Sequence, residues 1–173
     1  DRGVGSTDMM GMTSYRMLDN LDNLKTERTA QLDLGFQAEQ GAWSAWASAY
    51  AGLIKDFILL EYNTPTMRQP LARNVHATIA GAEAGLGYQF TDHFQADIST
   101  MYAWGENTSD HRALPQIAPL EGRLNLRYVD EKYSLGLLWH AVANQNRISL
   151  NEGNVVGYDM NESKAFDTLA VNG

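Results

Sequence analysis

The chain has 173 residues, with 21 acidic against 13 basic side chains, a formal net charge of −8 and 44% hydrophobic residues. That hydrophobic share is ordinary for a folded chain and excludes a disordered tail. A negative charge without a long basic run argues against nucleic-acid binding, which rests on neutralising phosphates. No cysteine is present, which excludes disulfide scaffolds, thiolate zinc sites and cysteine nucleophiles together.

No stretch reaches the roughly 20 consecutive apolar residues of a membrane-spanning helix; Phe57-Ile58-Leu59-Leu60 is a typical apolar cluster and far too short. The chain opens at Asp1 without signal-peptide regions and stops at Val171-Asn172-Gly173, directly after an apolar-periodic start at Phe166. Both ends read as cuts in a longer chain. Residues 1–25 read as loop, and 26–173 as strands and loops of one unit.

From Gln31 onward the dominant period is two. Gln31, Asp33, Gly35, Gln37 and Glu39 alternate with Leu32, Leu34, Phe36 and Ala38, which an extended strand sorts onto two faces and a helix would mix. Trp43 to Gly52 is ambiguous, because alanines and serines leave its facing undefined. From Ala82 to Phe90 the apolar series is Ala82, Ala84, Leu86, Tyr88 and Phe90, opposite Glu83, Gly85, Gly87 and Gln89. Phe94, Ala96, Ile98, Thr100, Tyr102 and Trp104 then alternate with Gln95, Asp97, Ser99, Met101 and Ala103. Leu124, Leu126 and Tyr128 alternate with Arg123, Asn125 and Arg127, and Tyr133, Leu135, Leu137 and Trp139 with Ser134, Gly136, Leu138 and His140.

Short polar turns at Gln40-Gly41, Thr91-Asp92-His93 and Asp130-Glu131 alternate with long links at about 63–72, 107–119 and 145–164, which hold or border all four prolines. Strands joined in this way form an antiparallel up-and-down meander. A soluble β-sandwich also alternates, but its strands average about five or six residues. A transmembrane β-barrel has alternating segments of about ten residues, short turns at one end, long loops at the other, and aromatic girdles. Phe36, Tyr88, Phe90, Phe94, Tyr102, Trp104, Tyr128, Tyr133 and Trp139 all lie on the apolar series. Asp33, Glu39, Glu83, Asp97, Arg123 and Arg127 lie on the other. The expected fold is therefore all-β, an antiparallel meander of six to seven strands forming part of a large transmembrane barrel. Small residues on the polar series fit the wall of a wide barrel with a wet or plugged lumen.

The segment Asn23-Leu24-Lys25-Thr26-Glu27-Arg28-Thr29, followed by Gln31-Leu32-Asp33-Leu34-Gly35, resembles the strand-opening motif of TonB-dependent outer-membrane receptors. Gly81-Ala82-Glu83 with the hairpin to Tyr102 resembles a second motif, and Leu114-Pro115-Gln116-Ile117-Ala118-Pro119 a third. Thr26 stands where the family usually has proline, and Asp33 where it has glutamate. Leu114 to Glu121 and Gly153-Asn154-Val155-Val156-Gly157 are most similar to the copper-receptor branch. The resemblance implies a bacterial outer-membrane location, a 22-stranded barrel in lipid, an N-terminal plug, energy from the TonB complex, and copper or a copper complex as cargo. Long loops would face outside and short turns the periplasm. A siderophore or cobalamin receptor would have a similar wall. A passive porin wall and a carbohydrate-binding sandwich using Trp43, Trp46 or Trp104 are the rivals from other classes.

Candidate ligands are few. Met9, Met10, Met12 and Met17 offer thioethers suited to Cu(I), although flexible methionines also fill gaps in loop packing. His76, His93, His111 and His140 lack metal-ligand spacing. His93 is expected in a turn, meeting water. His140 is expected on the polar series near Arg127, and with Asp33, Glu83, Asp97, Arg123 and Arg127 it makes a hydrated, lumen-facing wall. No resident cofactor is expected, nor an enzyme: Glu83 and Asp97 show no sign of opposed environments, and no G-x-S-x-G, P-loop or G-x-G-x-x-G occurs. A partial barrel leaves two open edges in lipid, so the segment is not expected to fold alone.

Overall fold

The computed structural model describes residues 23–62, 71–153, 159 and 161–173. These form one antiparallel sheet of β1 (Arg28–Gln40), β2 (Trp43–Glu61), β3 (Leu71–Gln89), β4 (Phe94–Asn107), the two-residue β5 (Arg112–Ala113), β6 (Glu121–Val129), β7 (Ser134–Val142) and β8 (Phe166–Asn172). The spatial order is β1-β2-β3-β4-β6-β7-β8, with β5 folded back on β4. This is the expected meander, with short connections at one end and long ones at the other.

Turn chemistry fixes the short end. Gly41, at φ 61°, supplies the left-handed residue that a tight hairpin needs between Gln40 and Trp43. His93 does more than meet water: its Nδ1 lies 3.0 Å from the Val129 carbonyl, and its own carbonyl accepts the Val129 amide at 2.9 Å. The turn after β3 is thereby tied to the end of β6.

Register resolves the ambiguous strand. Asp33 pairs with Tyr50 and Gln37 with Trp46, while Ser48 pairs with Glu83. Ser44, Trp46, Ser48 and Tyr50 therefore share the polar face, and the intervening alanines share the apolar one. Trp46 and Tyr50 find room because they pair with Gly85 and Gly81, where an added Cβ would overlap their rings.

The apolar face has no second layer. Leu34, Phe36, Leu53 and Leu169 are 62–65% exposed, whereas a sandwich would bury that face against another sheet. Tyr88 packs on Trp43 and Phe90 with centroids 4.3 and 4.7 Å apart, which gathers aromatics at the short-turn end. On β4, Phe94 and Trp104 bound the face ten residues apart. That is about 34 Å along a strand, or about 24 Å in height at a tilt of about 45°, close to the roughly 25 Å apolar band of outer-membrane barrels.

Strands β2 and β3 are 19 residues each and rise well beyond that band. A bulge between Ile54 and Phe57, with Asp56 at φ 58°, shifts the side-chain alternation, so Phe57 and Leu59 join Ile54 on the polar-face side. There the buried cluster Ile54, Ala77 and Leu114 packs with Phe57, Ile79 and Ile117. Its cover is the β4–β6 loop, folded inward over the outer end of the sheet.

Candidate functional site

The six wall residues share one face. Gln31 Nε2 donates to Asp33 Oδ1 at 2.8 Å, and Gln95 Nε2 donates to both Asp97 oxygens at 3.0 and 3.1 Å. Glu83 pairs in register with Ser48 and Met101, and Arg127 with Gln95 and Gly136. His140 is opposite Arg123 rather than near Arg127, because the β6–β7 turn sets the pairing of Arg127 at Gly136. Its Nε2 lies 2.9 Å from Glu121 Oε2, and Arg123 Nη2 lies 3.4 Å from the same oxygen. Glu121, absent from the sequence-based candidates, is thus the carboxylate that organises this corner. It sits on the same period-two series as Arg123, one step before the strand segment recognised from alternation.

A second polar centre lies at the outer rim. Arg73 on β3 donates from Nε to Glu61 Oε1 at 2.6 Å and pairs with Asp110 of the β4–β6 loop. Arg112 Nη2 is 3.2 Å from Glu152 Oε1 of the β7–β8 loop, and Ser149 Oγ donates to buried Glu152 at 2.6 Å. Burial works against the charge on Arg73, but the hydrogen bonds it donates to Asp110 and Glu61 outweigh it and raise its pKa. The same bond from Arg73 holds the Asp110 carboxyl below the usual carboxylate range. Glu61, Asp110 and Glu152 bring oxygens within 4.8 Å of one another, but the two guanidiniums already meet them. This is an ion-paired rivet, not a vacant metal centre.

Further bonds join the same loops. Asp159 accepts the Gln116 amide at 3.1 Å and the Ser149 amide at 2.6 Å, and Gln145 Nε2 donates to the Ile117 carbonyl at 2.8 Å. Tyr62 N–H donates to Asn151 O at 2.6 Å, and Gly153 N–H to Leu60 O at 3.1 Å. Nothing in period-two alternation signals these partners, which come from three different connections. Met9, Met10, Met12 and Met17 lie outside the described residues. His76 and His111 are exposed.

A single meander with one polar face, one uncovered apolar face and loops sealing its long-loop end defines the wall of a membrane β-barrel of the receptor class. Residues 6–172 match the family described as TonB dependent receptor-like, beta-barrel, and the chain belongs to that family. Among solved structures it is similar to "Copper transporter OprC", with 47% identity over 87% of this chain and 23% of that one, at a TM-score of 0.82. It is also similar to two forms of the FrpB iron transporter from Neisseria meningitidis, the F3-3 and F5-1 variants. Both are 19% identical over 86% of this chain, with TM-scores of 0.62 and 0.60. At that identity the FrpB likeness concerns the fold. The chain spans about a quarter of the length of these structures, 23–24%. No curated protein matches it in sequence.

Proposed function

We propose that this chain is part of an outer-membrane receptor that takes up copper or a copper complex, with energy delivered through TonB to a plug held inside the barrel. The observation that carries the reading is the 47% identity to a copper transporter over 87% of this chain, with a TM-score of 0.82. In this reading the apolar face meets outer-membrane lipid. The face bearing Asp33, Glu83, Asp97, Arg123, Arg127 and His140 meets the hydrated lumen and the plug. The long connections lie outside the cell and the short turns in the periplasm.

The wall supplies a charged, wet surface and a fixed rim, not a reaction centre. Copper is cargo here. The methionine-rich stretch Met9, Met10 and Met12 is proposed as a weak capture site of thioether donors. The test is metal analysis of the complete gene product in detergent after exposure to Cu(I), Cu(II), zinc and iron. Stoichiometric copper retained against zinc and iron is the expected result. A protein that binds iron or an iron chelate and ignores copper would overturn the copper reading.

A further inference from the structure

On the lipid-facing side, Arg28 of β1 and Lys55 of β2 are direct register partners. Like charges directly opposite on one face destabilise a strand pair. Both side chains are exposed, and neither has an ion-pair or hydrogen-bond partner among the described residues. Of the neighbouring carboxylates, Glu27 accepts the Ile58 amide at 3.4 Å, and Asp56 follows Lys55 in the bulge without forming an ion pair with either cation among the described residues. Two cations beside one carboxylate leave a net positive spot in a chain of net charge −8, which points to an anion from outside.

Its height says which anion. The upper edge of the apolar band is marked by Trp104 on β4 and by Trp139 on β7, whose register row runs through Leu124 to Ile98. That offset gives the sense of the tilt: at equal height the row shifts toward Arg28 and Lys55 on going from β4 to β1. Trp104 shares its row with Ala80, Ala51 and Leu32. Arg28 and Lys55 lie four residues beyond Leu32 and Ala51, about 10 Å in height at a tilt of about 45°. Strand spacing of about 4.8 Å takes back about 10 Å over the three steps to β1 and about 7 Å over the two steps to β2. Both cations come out within a few ångströms of the Trp104 level, where the apolar band gives way to headgroups. Arg147 lies there too, its guanidinium 5.2 Å from the centre of the Trp104 ring and paired with Glu106.

We propose that Arg28 and Lys55 form a binding site for the phosphate of a phosphorylated lipid in the leaflet on the long-loop side. The apolar flank below them, Leu32 and Leu53, lies against that lipid's chains. A guanidinium grips phosphate oxygens in bidentate fashion, and the lysine beside it adds a point charge. The site rests on the membrane reading above, because a soluble protein has no lipid to offer it.

The test is the phosphorus and intact lipid that remain with the complete gene product through purification in a non-ionic detergent. It compares wild type with Arg28→Gln, Lys55→Gln, the double variant, the charge-keeping Arg28→Lys/Lys55→Arg pair, and Lys132→Gln at the opposite end. Heat-modifiable gel migration reports a folded barrel independently of lipid. Retained phospholipid is expected to fall about fivefold for each cation removed. It should persist in the charge-keeping pair and in Lys132→Gln, and resist displacement by millimolar inorganic phosphate. A folded double variant that keeps its lipid, or displacement by inorganic phosphate alone, would overturn the site and leave the barrel reading standing. A protein that stays soluble without detergent would overturn both.

Discussion

The indole of Trp46 lies over the α-carbon of its register partner Gly85, in the space that a Cβ at that position would occupy. A bulky ring can stand on the polar face of a narrow-pitched sheet only where the neighbouring strand offers no side chain, so the two residues specify each other. Gly81 does the same for Tyr50. Gly35 is the comparison: it is on the same face of the end strand β1, and on its β2 side nothing lies within 4 Å of where a Cβ would stand.

Gly85→Ala is therefore expected to push Trp46 off its seat, at about 1–3 kcal/mol for overpacking, with a shift in tryptophan emission. Gly35→Ala should leave both emission and unfolding midpoint nearly unchanged. Equal effects at the two glycines would show that the ring's seat does not constrain the wall.

The rim rivet gives a second expectation. Arg73 meets Glu61 and Asp110, and Arg112 meets Glu152, which is 3% exposed. Arg73→Met strips a partly buried carboxylate group of its principal cation, and removal of one partner from such a cluster costs about 3 kcal/mol. The loss should be local. Protease added to intact cells is expected to cut the β4–β6 and β7–β8 loops faster, while the barrel keeps its heat-modifiable migration. Unchanged cleavage would mean that the apolar seat of Leu114 and Ile117 holds the loops without the rivet.

Acid should act on the same place. The folded pKa of Asp110 is depressed by the hydrogen bond from Arg73, so its contribution is fully present above the ordinary carboxylate range. It is lost as pH falls through the lower, folded value. Arg73 is raised further into alkali and stays charged throughout. Amide protection in residues 108–120, taken relative to the intrinsic exchange rate at each pH, is thus expected to hold at neutral pH and to fall below about pH 4. In Asp110→Asn that acid-dependent step should shrink. An acid step of the same size in the variant would assign it to another carboxylate.

How far these features were legible in the sequence depends on what each face of a strand meets. Where one face is apolar and uncovered and the other polar, as from Phe94 to Trp104, composition alternates and the strand can be read directly. Alternation fails from Leu71 to Gly81, because Ala77 and Ile79 pack beneath an inward-folded loop and, with buried Val75, are apolar on the polar-face side too. It fails again at Ile54–Phe57, where the bulge changes which residues point inward. Trp46 and Tyr50 were hidden by small neighbours, although Gly81, Gly85 and Gly87 on the next strand carry the complementary signal. Asp167 is a carboxylate on the apolar series, made tolerable at the upper edge by the Trp139 indole, which donates to it at 3.1 Å. The rim partners could not be read at all: Arg73 comes from β3 and Asp110 and Glu152 from two separate connections, and they meet only in three dimensions.

Facing itself can be tested at adjacent positions. Ile98 lies on the uncovered apolar face of β4, near the middle of the span from Phe94 to Trp104, and is 54% exposed. Its chain neighbour Ser99 lies on the polar face, in register with Arg123. An arginine near the midplane of the lipid side of a barrel costs about 2–4 kcal/mol, so Ile98→Arg is expected to lower assembled receptor in outer-membrane fractions severalfold. Ser99→Glu introduces a charge one residue away, but it enters the hydrated side across from a cation. Its assembly and unfolding midpoint should stay close to wild type. If Ser99→Glu were the damaging change and Ile98→Arg the tolerated one, the two faces would have to be exchanged. The apolar series would then line an interior, and the sheet would belong to a packed soluble fold.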